Sequence, residues 1–174
     1  MPGKVDKPTQ NTAFLGILGQ EKTMIKVLFI CHGNICRSTM AESVMTFLVK
    51  KANVEDKFYI NSAATSREEI GNPPHRGTVA KLKQEGIPVV PHSAVQMTLN
   101  DYEEYDYLIG MDTENIRNMQ RMTGGDPDEK IYKLMTFAGS GMDVADPWYT
   151  GDFEATYRDV RKGCEGLLKV LLEN

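Results

Sequence analysis

Cysteine and histidine are scarce in this chain of 174 residues, which contains three of each. An odd number of cysteines without regular spacing does not predict a disulfide framework, so we expect a reducing, cytoplasmic location. The histidines His32, His75 and His92 are scattered and lack the spacing of zinc ligands. The sequence therefore predicts neither a disulfide-rich secreted protein nor a metal site.

An excess of positive charge is also absent, because the formal net charge is −4. Proteins that bind nucleic acid or anionic membranes usually carry a basic surface, and we expect no partner of either kind. Residues 13–19 form a brief apolar patch that is interrupted by glycine. This patch is too short for a signal peptide or a membrane span.

Residues 1–23 differ from the remainder, since their first ten positions are polar and include Pro2, Gly3 and Pro8. We expect an N-terminal extension that is either vector-derived or disordered, and the alternative is a tail whose apolar patch docks on a neighbour. Residues 24–174 have ordinary proportions of apolar and charged side chains. They predict one globular domain with a substantial core.

The most informative pattern lies at residues 25–38. Residues 25–30 are a short apolar run rich in β-branched and aromatic side chains, which favours a buried strand. A helical pattern opens at Arg37, and Thr39 and Glu42 have the spacing of a capping box. The pattern predicts a strand, a short loop and a helix in direct succession.

The loop between this strand and this helix is suited to bind an anion, because free amides at a helix start carry partial positive charge. Gly33 and Asn34 tolerate left-handed backbone angles, which lets successive N–H groups turn inward. The Arg37 guanidinium matches two oxygens of a phosphate. The same field favours the nucleophilic thiolate of Cys31, and Ser38 can offer it a hydroxyl.

Cys31, followed after five residues by Arg37 and Ser38, resembles the catalytic loop of protein tyrosine phosphatases. The full string CHGNICRS resembles the low-molecular-weight class, and the flanking strand and helix make the match specific. The resemblance covers residues 24–174 and implies a phosphocysteine intermediate, a phosphotyrosine-containing protein substrate and no metal or organic cofactor. It also implies that the substrate is bound by His32, Gly33, Asn34, Ile35 and Cys36.

A second constellation is Asp146-Pro147-Trp148-Tyr149. Read alone, Asp-Pro is usually a turn. Beside the Cys-x5-Arg loop it resembles the general-acid loop of the same family, in which the carboxylic acid protonates the leaving oxygen and then activates water. Trp148 and Tyr149 are expected to wall a slot for the aromatic ring of the substrate.

The resemblance implies supporting roles for four further residues. Asn34 resembles the asparagine that holds the strained loop, and Ser62 and His92 resemble its hydrogen-bond partners. Asp112 resembles the acid that supports the loop arginine. The simpler interpretations are a small strand-end residue for Ser62, a structural histidine for His92 and a helix N-cap for Asp112.

The family resemblance also implies that Cys36 forms a reversible disulfide with Cys31, which would protect the thiolate from irreversible oxidation. The alternative for Cys36 is a small buried residue. Cys164 lies on the apolar side of the last predicted helix and is expected in the core.

Strands that alternate with helices predict a three-layer α/β fold, with a central four-stranded parallel sheet and helices on both faces. The phosphate-binding loop follows strand 1, at the carboxyl edge of the sheet where ligands bind. Strands are expected at residues 58–64, 105–111 and 131–134, with an extended piece at 88–91. Helices are expected at residues 37–51, 78–84, 113–122 and 153–172.

The substrate remains the open choice within this fold. Ile35 stands where related arginine phosphatases carry a threonine, which favours phosphotyrosine over phosphoarginine. The segment Ser66-Arg67-Glu68-Glu69 lacks the aromatic residue of many relatives, which puts substrates with acidic neighbours in doubt. An arsenate reductase needs two further cysteines and is disfavoured. A non-catalytic phosphate-binding module is disfavoured because Cys31, Arg37 and Asp146 are all present.

The expected quaternary state is a monomer or a weak dimer. The amino-acid sequence of the Asp146 loop resembles that of bacterial members of the family. By fold-level analogy alone, a bacterial tyrosine kinase is then an expected partner.

Overall fold

A computed structural model describes residues 23–174 of the chain. The extension predicted at residues 1–23 therefore lies outside the described residues, apart from Thr23. Four parallel strands form one sheet in the order β2-β1-β3-β4. The strands are β1 Ile25–Cys31, β2 Phe58–Ala64, β3 Tyr107–Gly110 and β4 Ile131–Lys133.

The helices are α1 Arg37–Lys51, α2 Arg76–Gln84, α3 Leu99–Glu104, α4 Thr113–Thr123, α5 Pro147–Thr150 and α6 Phe153–Glu173. Short 3-10 segments span Glu55–Lys57 and Leu134–Ala138. The predicted fold class is confirmed, with helices packed on both faces of a parallel sheet.

Alternation along β1 divides the core between the two faces. Val27 and Phe29 pack with apolar side chains of α1 and α6. Leu28 and Ile30 point to the other face and pack with Tyr102 of α3 and with α4. All four β1 side chains are buried, because this strand lies between β2 and β3.

Parallel register brings the carboxyl ends of the strands together at one edge. Cys31 lies opposite Ala64 at the end of β2, and Ile30 lies opposite Gly110 at the end of β3. The loops that follow β1 and β3 therefore emerge side by side. This edge of the sheet is the expected place for a ligand.

The prediction of a capping box at the start of α1 is wrong, because the motif does not form. Cys36 is the N-cap residue and makes no side-chain cap bond. The Thr39 hydroxyl donates to the carbonyl of Ile35 at 2.9 Å, and the Glu42 carboxylate binds Ser62 instead. The first amides of α1 thus stay free of side-chain caps, and that of Ser38 points at the Cys31 sulfur.

Other boundaries also differ from expectation. β3 is shorter than the predicted residues 105–111, and residues 88–91 form no strand. Helix α3 was not predicted, because Tyr102 is its only buried residue and no apolar periodicity marks it.

Candidate active site

The sulfur of Cys31 lies at the carboxyl end of β1 and is surrounded by hydrogen-bond donors. The backbone amides of Asn34 and Ser38 donate to it at 3.3 and 3.4 Å. The Ser38 hydroxyl oxygen lies 3.1 Å away. Cys31 is buried at the floor of a pocket. These donors converge on one buried sulfur and are placed to hydrogen-bond with it.

Asn34 holds the loop in a left-handed backbone conformation, with φ of 61°. Its Nδ2 donates to the hydroxyl of Ser38 at 2.8 Å and to that of Ser62 at 3.0 Å. Its Oδ1 accepts from the amide of Val95 at 3.1 Å and lies 2.7 Å from Nε2 of His92. Since Oδ1 can only accept, Nε2 carries the proton.

These bonds fix the direction of the neighbouring hydroxyl. The Ser38 oxygen accepts from Asn34, so its own hydrogen is free to point at the Cys31 sulfur. Asn34, predicted among the substrate-binding residues, is not one of the residues that line the pocket. Only its backbone amide faces the sulfur.

Arg37 is buried and is held on one side by acceptors. Its Nη1 donates to Asp112 Oδ2 at 2.7 Å and to the Val144 carbonyl at 2.8 Å, and its Nη2 lies 3.4 Å from Asp146 Oδ2. Burial acts to lower the pKa of Arg37, but the charges of Cys31, Asp112 and Asp146 outweigh it and raise this pKa. The guanidinium is therefore permanently charged.

The Nε of Arg37 is buried and has no hydrogen-bond partner among the described residues. Leaving a charged donor unpaired in the interior is costly. This atom belongs to a residue that lines the same pocket as Cys31. An oxyanion bound in the pocket would supply the missing acceptor.

Asp146 reaches the site from the opposite end of the chain. It is the N-cap of α5, with Pro147 in the first helical position, and its Oδ1 accepts from the amide of Trp148 at 3.1 Å. The loop before it is fixed where the Val144 amide donates to the Met111 carbonyl at 2.9 Å. The Asp146 side chain is partly exposed, so a substrate and water can reach it.

The pocket has a volume of about 80 Å³. His32, Gly33, Ile35 and Cys36 line it from the catalytic loop, and Trp148 and Tyr149 line it from α5. Both aromatic side chains are largely exposed, at 58% and 83%. Such exposed rings beside a pocket can cover the ring of an aryl phosphate.

His75, the N-cap of α2, supports the Trp148 wall. Its ring stacks on Phe153 at a centroid distance of 5.3 Å and meets Trp148 edge-on at 5.8 Å. Sequence patterns assign no role to His75, since this contact joins α2, α5 and the start of α6.

Glu42 is the main functional neighbour that sequence reasoning missed. It accepts from the Ser62 hydroxyl at 2.6 Å and lies 3.6 Å from Nδ1 of His92. Burial raises the pKa of Glu42 to about 7 and lowers the pKa of His92. One signal could have revealed it, because Glu42 stands among Met40, Ala41 and other residues of a buried helix face.

Asp112 is also the N-cap of α4, where its Oδ1 accepts from the amide of Asn115 at 2.7 Å. Its other oxygen binds Arg37. Asp112 therefore makes both contacts, since one carboxylate oxygen caps α4 and the other binds Arg37.

All three cysteines are free thiols in the structure. Burial, with the charges of Cys31 and Asp146, raises the pKa of Cys36 to about 12. Cys164 is fully buried in α6, which matches its expected place in the core. A redox relay through Cys164, as an arsenate reductase would need, has no accessible thiol to use.

No helix within residues 23–174 has the length and apolar character needed to cross a membrane. Across the same residues, His, Cys, Asp and Glu side chains nowhere gather in threes as a metal site would require.

A family model described as low molecular weight phosphotyrosine protein phosphatase matches residues 26–174. The low molecular weight protein-tyrosine-phosphatase YfkJ of Bacillus subtilis is 42% identical over 147 residues, which cover 83% of this chain and 94% of that protein. The crystal structure of YfkJ superposes with a TM-score of 0.85 at 41% identity and covers 89% of this chain and 98% of YfkJ.

A Drosophila arginine phosphatase has a similar crystal structure. The TM-score is 0.77 at 30% sequence identity, over 84% of this chain and 98% of the Drosophila chain.

Proposed function

Because the chain belongs to the low-molecular-weight protein tyrosine phosphatase family and is a phosphatase of phosphotyrosine proteins, we propose that Cys31, Arg37 and Asp146 carry its reaction. The observation that carries the proposal is the buried, unpartnered Nε of Arg37 in the pocket that Cys31 also lines. A phosphate in this pocket would satisfy that donor and lie against the sulfur.

In the first step the Cys31 thiolate attacks phosphorus, and the bond to the aryl oxygen breaks. The amides of the loop and the Arg37 guanidinium hold the equatorial oxygens as charge develops on them. Asp146 gives its proton to the departing phenol oxygen. The products of this step are a free phenol and a phosphocysteine.

In the second step Asp146, now a carboxylate, takes a proton from a water molecule that attacks the phosphorus. The sulfur–phosphorus bond breaks, and Cys31 leaves as a thiolate. The Ser38 hydroxyl, 3.1 Å from the sulfur, stabilises this leaving group. Inorganic phosphate is released, and Asp146 regains its proton for the next cycle.

Hydrolysis of p-nitrophenyl phosphate in EDTA and reductant tests these assignments directly. We expect Cys31→Ser to abolish turnover. Asp146→Ala should reduce it about 10²- to 10⁴-fold, the usual contribution of general acid catalysis. Turnover that survives Cys31→Ser would remove the nucleophile from this proposal.

Phosphoarginine is the second candidate substrate, favoured by the similarity to the Drosophila arginine phosphatase. Ile35, which is buried and lines the pocket, supports the aromatic substrate instead, because an apolar wall suits a phenyl ring better than a guanidinium. Matched phosphotyrosine and phosphoarginine peptides would decide by their values of kcat/KM.

We place the enzyme in the cytoplasm as a monomer or weak dimer, acting on phosphotyrosine proteins that include a bacterial tyrosine kinase. Three free thiols support a reducing compartment. Size-exclusion chromatography with light scattering tests the oligomeric state, and a dimer that persists at nanomolar concentration would overturn it.

The redox role of Cys36 is also part of the proposal. Peroxide would convert the Cys31 thiolate to a sulfenic acid, which the Cys36 thiol attacks with loss of water to form the disulfide. Since the pKa of Cys36 is about 12, we expect disulfide formation to accelerate with rising pH. Peroxide inactivation that dithiothreitol reverses equally well in Cys36→Ser would contradict this role.

A further inference from the structure

Two carboxylates line the mouth of the pocket, on the segment that follows β2. Glu68 Oε1 lies 3.2 Å from Nε2 of His32. Glu69 Oε1 accepts from Nδ2 of Asn72 at 2.8 Å. Both glutamates line the pocket with the catalytic loop. We call Glu68 and Glu69 the acidic rim.

Backbone hydrogen bonds on both sides of the acidic rim hold the segment that carries it, and one of them reaches the catalytic loop. The amide of Ser66 donates to the carbonyl of His32 at 3.1 Å, and that of Gly71 donates to the carbonyl of Ala94 at 2.8 Å. A methyl group added to Gly33 would lie 3.3 Å from Cγ of Glu69, so Glu69 packs closely over the loop. The backbone that carries both glutamates is therefore held beside the loop that would bind a phosphate.

Positive charge in the pocket lies at its floor and is already paired. Among residues 23–174, Arg37 is the only Lys or Arg that lines the pocket. Its side chain is 3% exposed, and it binds Asp112 and Asp146. At the mouth, the His32 ring is paired with Glu68. Arg67 belongs to the rim segment but does not line the pocket. Residues flanking a bound phosphotyrosine would therefore meet net negative charge.

We propose that the acidic rim selects phosphotyrosines that have lysine or arginine beside them in the protein substrate. This inference rests on the proposed function and names the substrate class of the same site. The phosphate itself is held by amides and Arg37, whereas the neighbouring residues meet Glu68 and Glu69. Because Glu68 is exposed and Glu69 is only half-buried, we expect roughly threefold in kcat/KM for each flanking position at which lysine replaces glutamate, as for exposed ion pairs.

Two phosphotyrosine peptides of one sequence test the proposal, with lysine or with glutamate at the positions on either side of the tyrosine. The measured quantity is the ratio of their kcat/KM values within each enzyme, which cancels any general effect of a variant. At low salt we expect wild type to favour the lysine peptide about tenfold, and the ratio to fall with ionic strength. The ratio should approach one in E68Q/E69Q and reverse in E68K/E69K.

Glu103→Gln is the matched control. Glu103 is an exposed residue of α3, and its neighbour Glu104 pairs with Lys26 near the start of β1, at the edge of the sheet away from Cys31. The single variant E69Q, which has the same net charge as this control, should lower the ratio about threefold, whereas the control should keep the wild-type ratio. An equal shift in Glu103→Gln would mean that total charge, and not the rim, sets the preference.

A wild-type ratio near or below one, or a ratio that E68Q/E69Q leaves unchanged, overturns the acidic rim as a selector. Failure of the proposed function has a different signature. Wild type would then turn over neither peptide nor p-nitrophenyl phosphate, or the Cys31→Ser variant would remain active on all three.

Discussion

At the scale of single residues, Asn34 holds the catalytic loop in a backbone conformation that few side chains adopt. The left-handed region costs an ordinary residue roughly 1–2 kcal/mol. Asn34 offsets this cost because both ends of its amide are hydrogen-bonded, to Ser38 and Ser62 on one side and to Val95 and His92 on the other. One side chain thereby sets the loop backbone and the direction of the Ser38 hydroxyl.

We expect Asn34→Ala to lower kcat/KM for p-nitrophenyl phosphate about 10²-fold, because small displacements of reacting groups have effects of this size. Its buried partners would also lose their hydrogen bonds, which should reduce the free energy of unfolding by roughly 2–4 kcal/mol. Urea unfolding followed by circular dichroism measures this loss.

Asn53→Ala is the control for the backbone contribution. Asn53 also has a left-handed φ, of 58°, but it lies in an exposed turn. Its side chain makes no hydrogen bond within the described part of the chain. Asn53→Ala should lose only the stability that comes from the preference of asparagine for a left-handed backbone, and it should keep its activity. Equal losses of kcat/KM and of unfolding free energy in both variants would refute the role assigned to the Asn34 hydrogen bonds.

At the scale of elements, Lys133 at the end of β4 holds the loop that carries the general acid. Its Nζ donates to the carbonyl of Gly141 at 3.0 Å and to Asp143 Oδ1 at 2.8 Å. The same Nζ lies 3.1 Å from the hydroxyl of Thr113 at the start of α4. Lys133 thus joins β4, α4 and the segment before Asp146.

We expect Lys133→Met to loosen the Asp146 loop and to lower kcat for phenyl phosphate about tenfold, the low end of general-acid effects. The loss should be smaller for p-nitrophenyl phosphate, whose leaving group needs a proton less. Lys169→Met, an exposed position of α6, is the control. Equal losses on the two substrates would show that Lys133 does not act through the acid.

The Lys133 tether should also depend on pH in a defined direction. Its hydrogen bond lowers the pKa of Asp143 below the usual 3.8, so the native state binds fewer protons there than the unfolded state. The tether therefore stabilises the protein above pH 3.8, and this stabilisation is lost as the pH falls through the lowered pKa. The difference in Tm between wild type and Lys133→Met should stay constant from pH 8 to 5. A difference that vanishes by pH 6 would contradict this origin.

At the scale of the whole molecule, α6 closes the domain by packing very near the Leu134–Ala138 segment. A Cβ on Gly166 would lie 2.0 Å from the carbonyl oxygen of Phe137, and one on Gly163 would lie 2.5 Å from Cγ of Leu134. Gly166 permits a close approach of the two backbones, and Gly163 leaves room for the Leu134 side chain. The segment leads from β4 towards the Asp146 loop.

We expect Gly166→Ala to destabilise the protein by about 2 kcal/mol, because overpacking a tight contact outweighs the better helix propensity of alanine. Lys169→Ala, on the exposed side of the same helix, should change stability by no more than about 0.5 kcal/mol. Urea midpoints provide the comparison, and a Gly166→Ala variant more stable than wild type would disprove the close packing.

Local patterns in the sequence predicted the elements that have strong periodicity. β1, α1 and β2 begin and end within one residue of expectation, since apolar runs and helical spacing mark them clearly. α3 and α5 were not predicted, because α3 buries a single residue and α5 is only four residues long. Their formation depends on tertiary contacts that a linear pattern does not contain.

In the active site, too, the residues close together in sequence were predicted, whereas several that tertiary contacts bring to them were not. Cys31 and Arg37 share one loop, so their spacing along the chain is enough to indicate the chemistry. Glu42 meets Ser62 and His92 from a different helix, and Lys133 reaches the acid loop from β4. Such contacts across elements become visible only when the sheet is assembled.

The central claim is that the phosphoryl group is transferred to the Cys31 sulfur as a covalent intermediate. Acid-quenched mass spectrometry of the working enzyme tests this claim most directly. The Asp146→Ala variant, turning over p-nitrophenyl phosphate, should accumulate one phosphoryl group on the peptide that contains Cys31, since it lacks the base for the second step. Continued turnover with no phosphoryl group on that peptide, or with the group on another residue, would contradict the account.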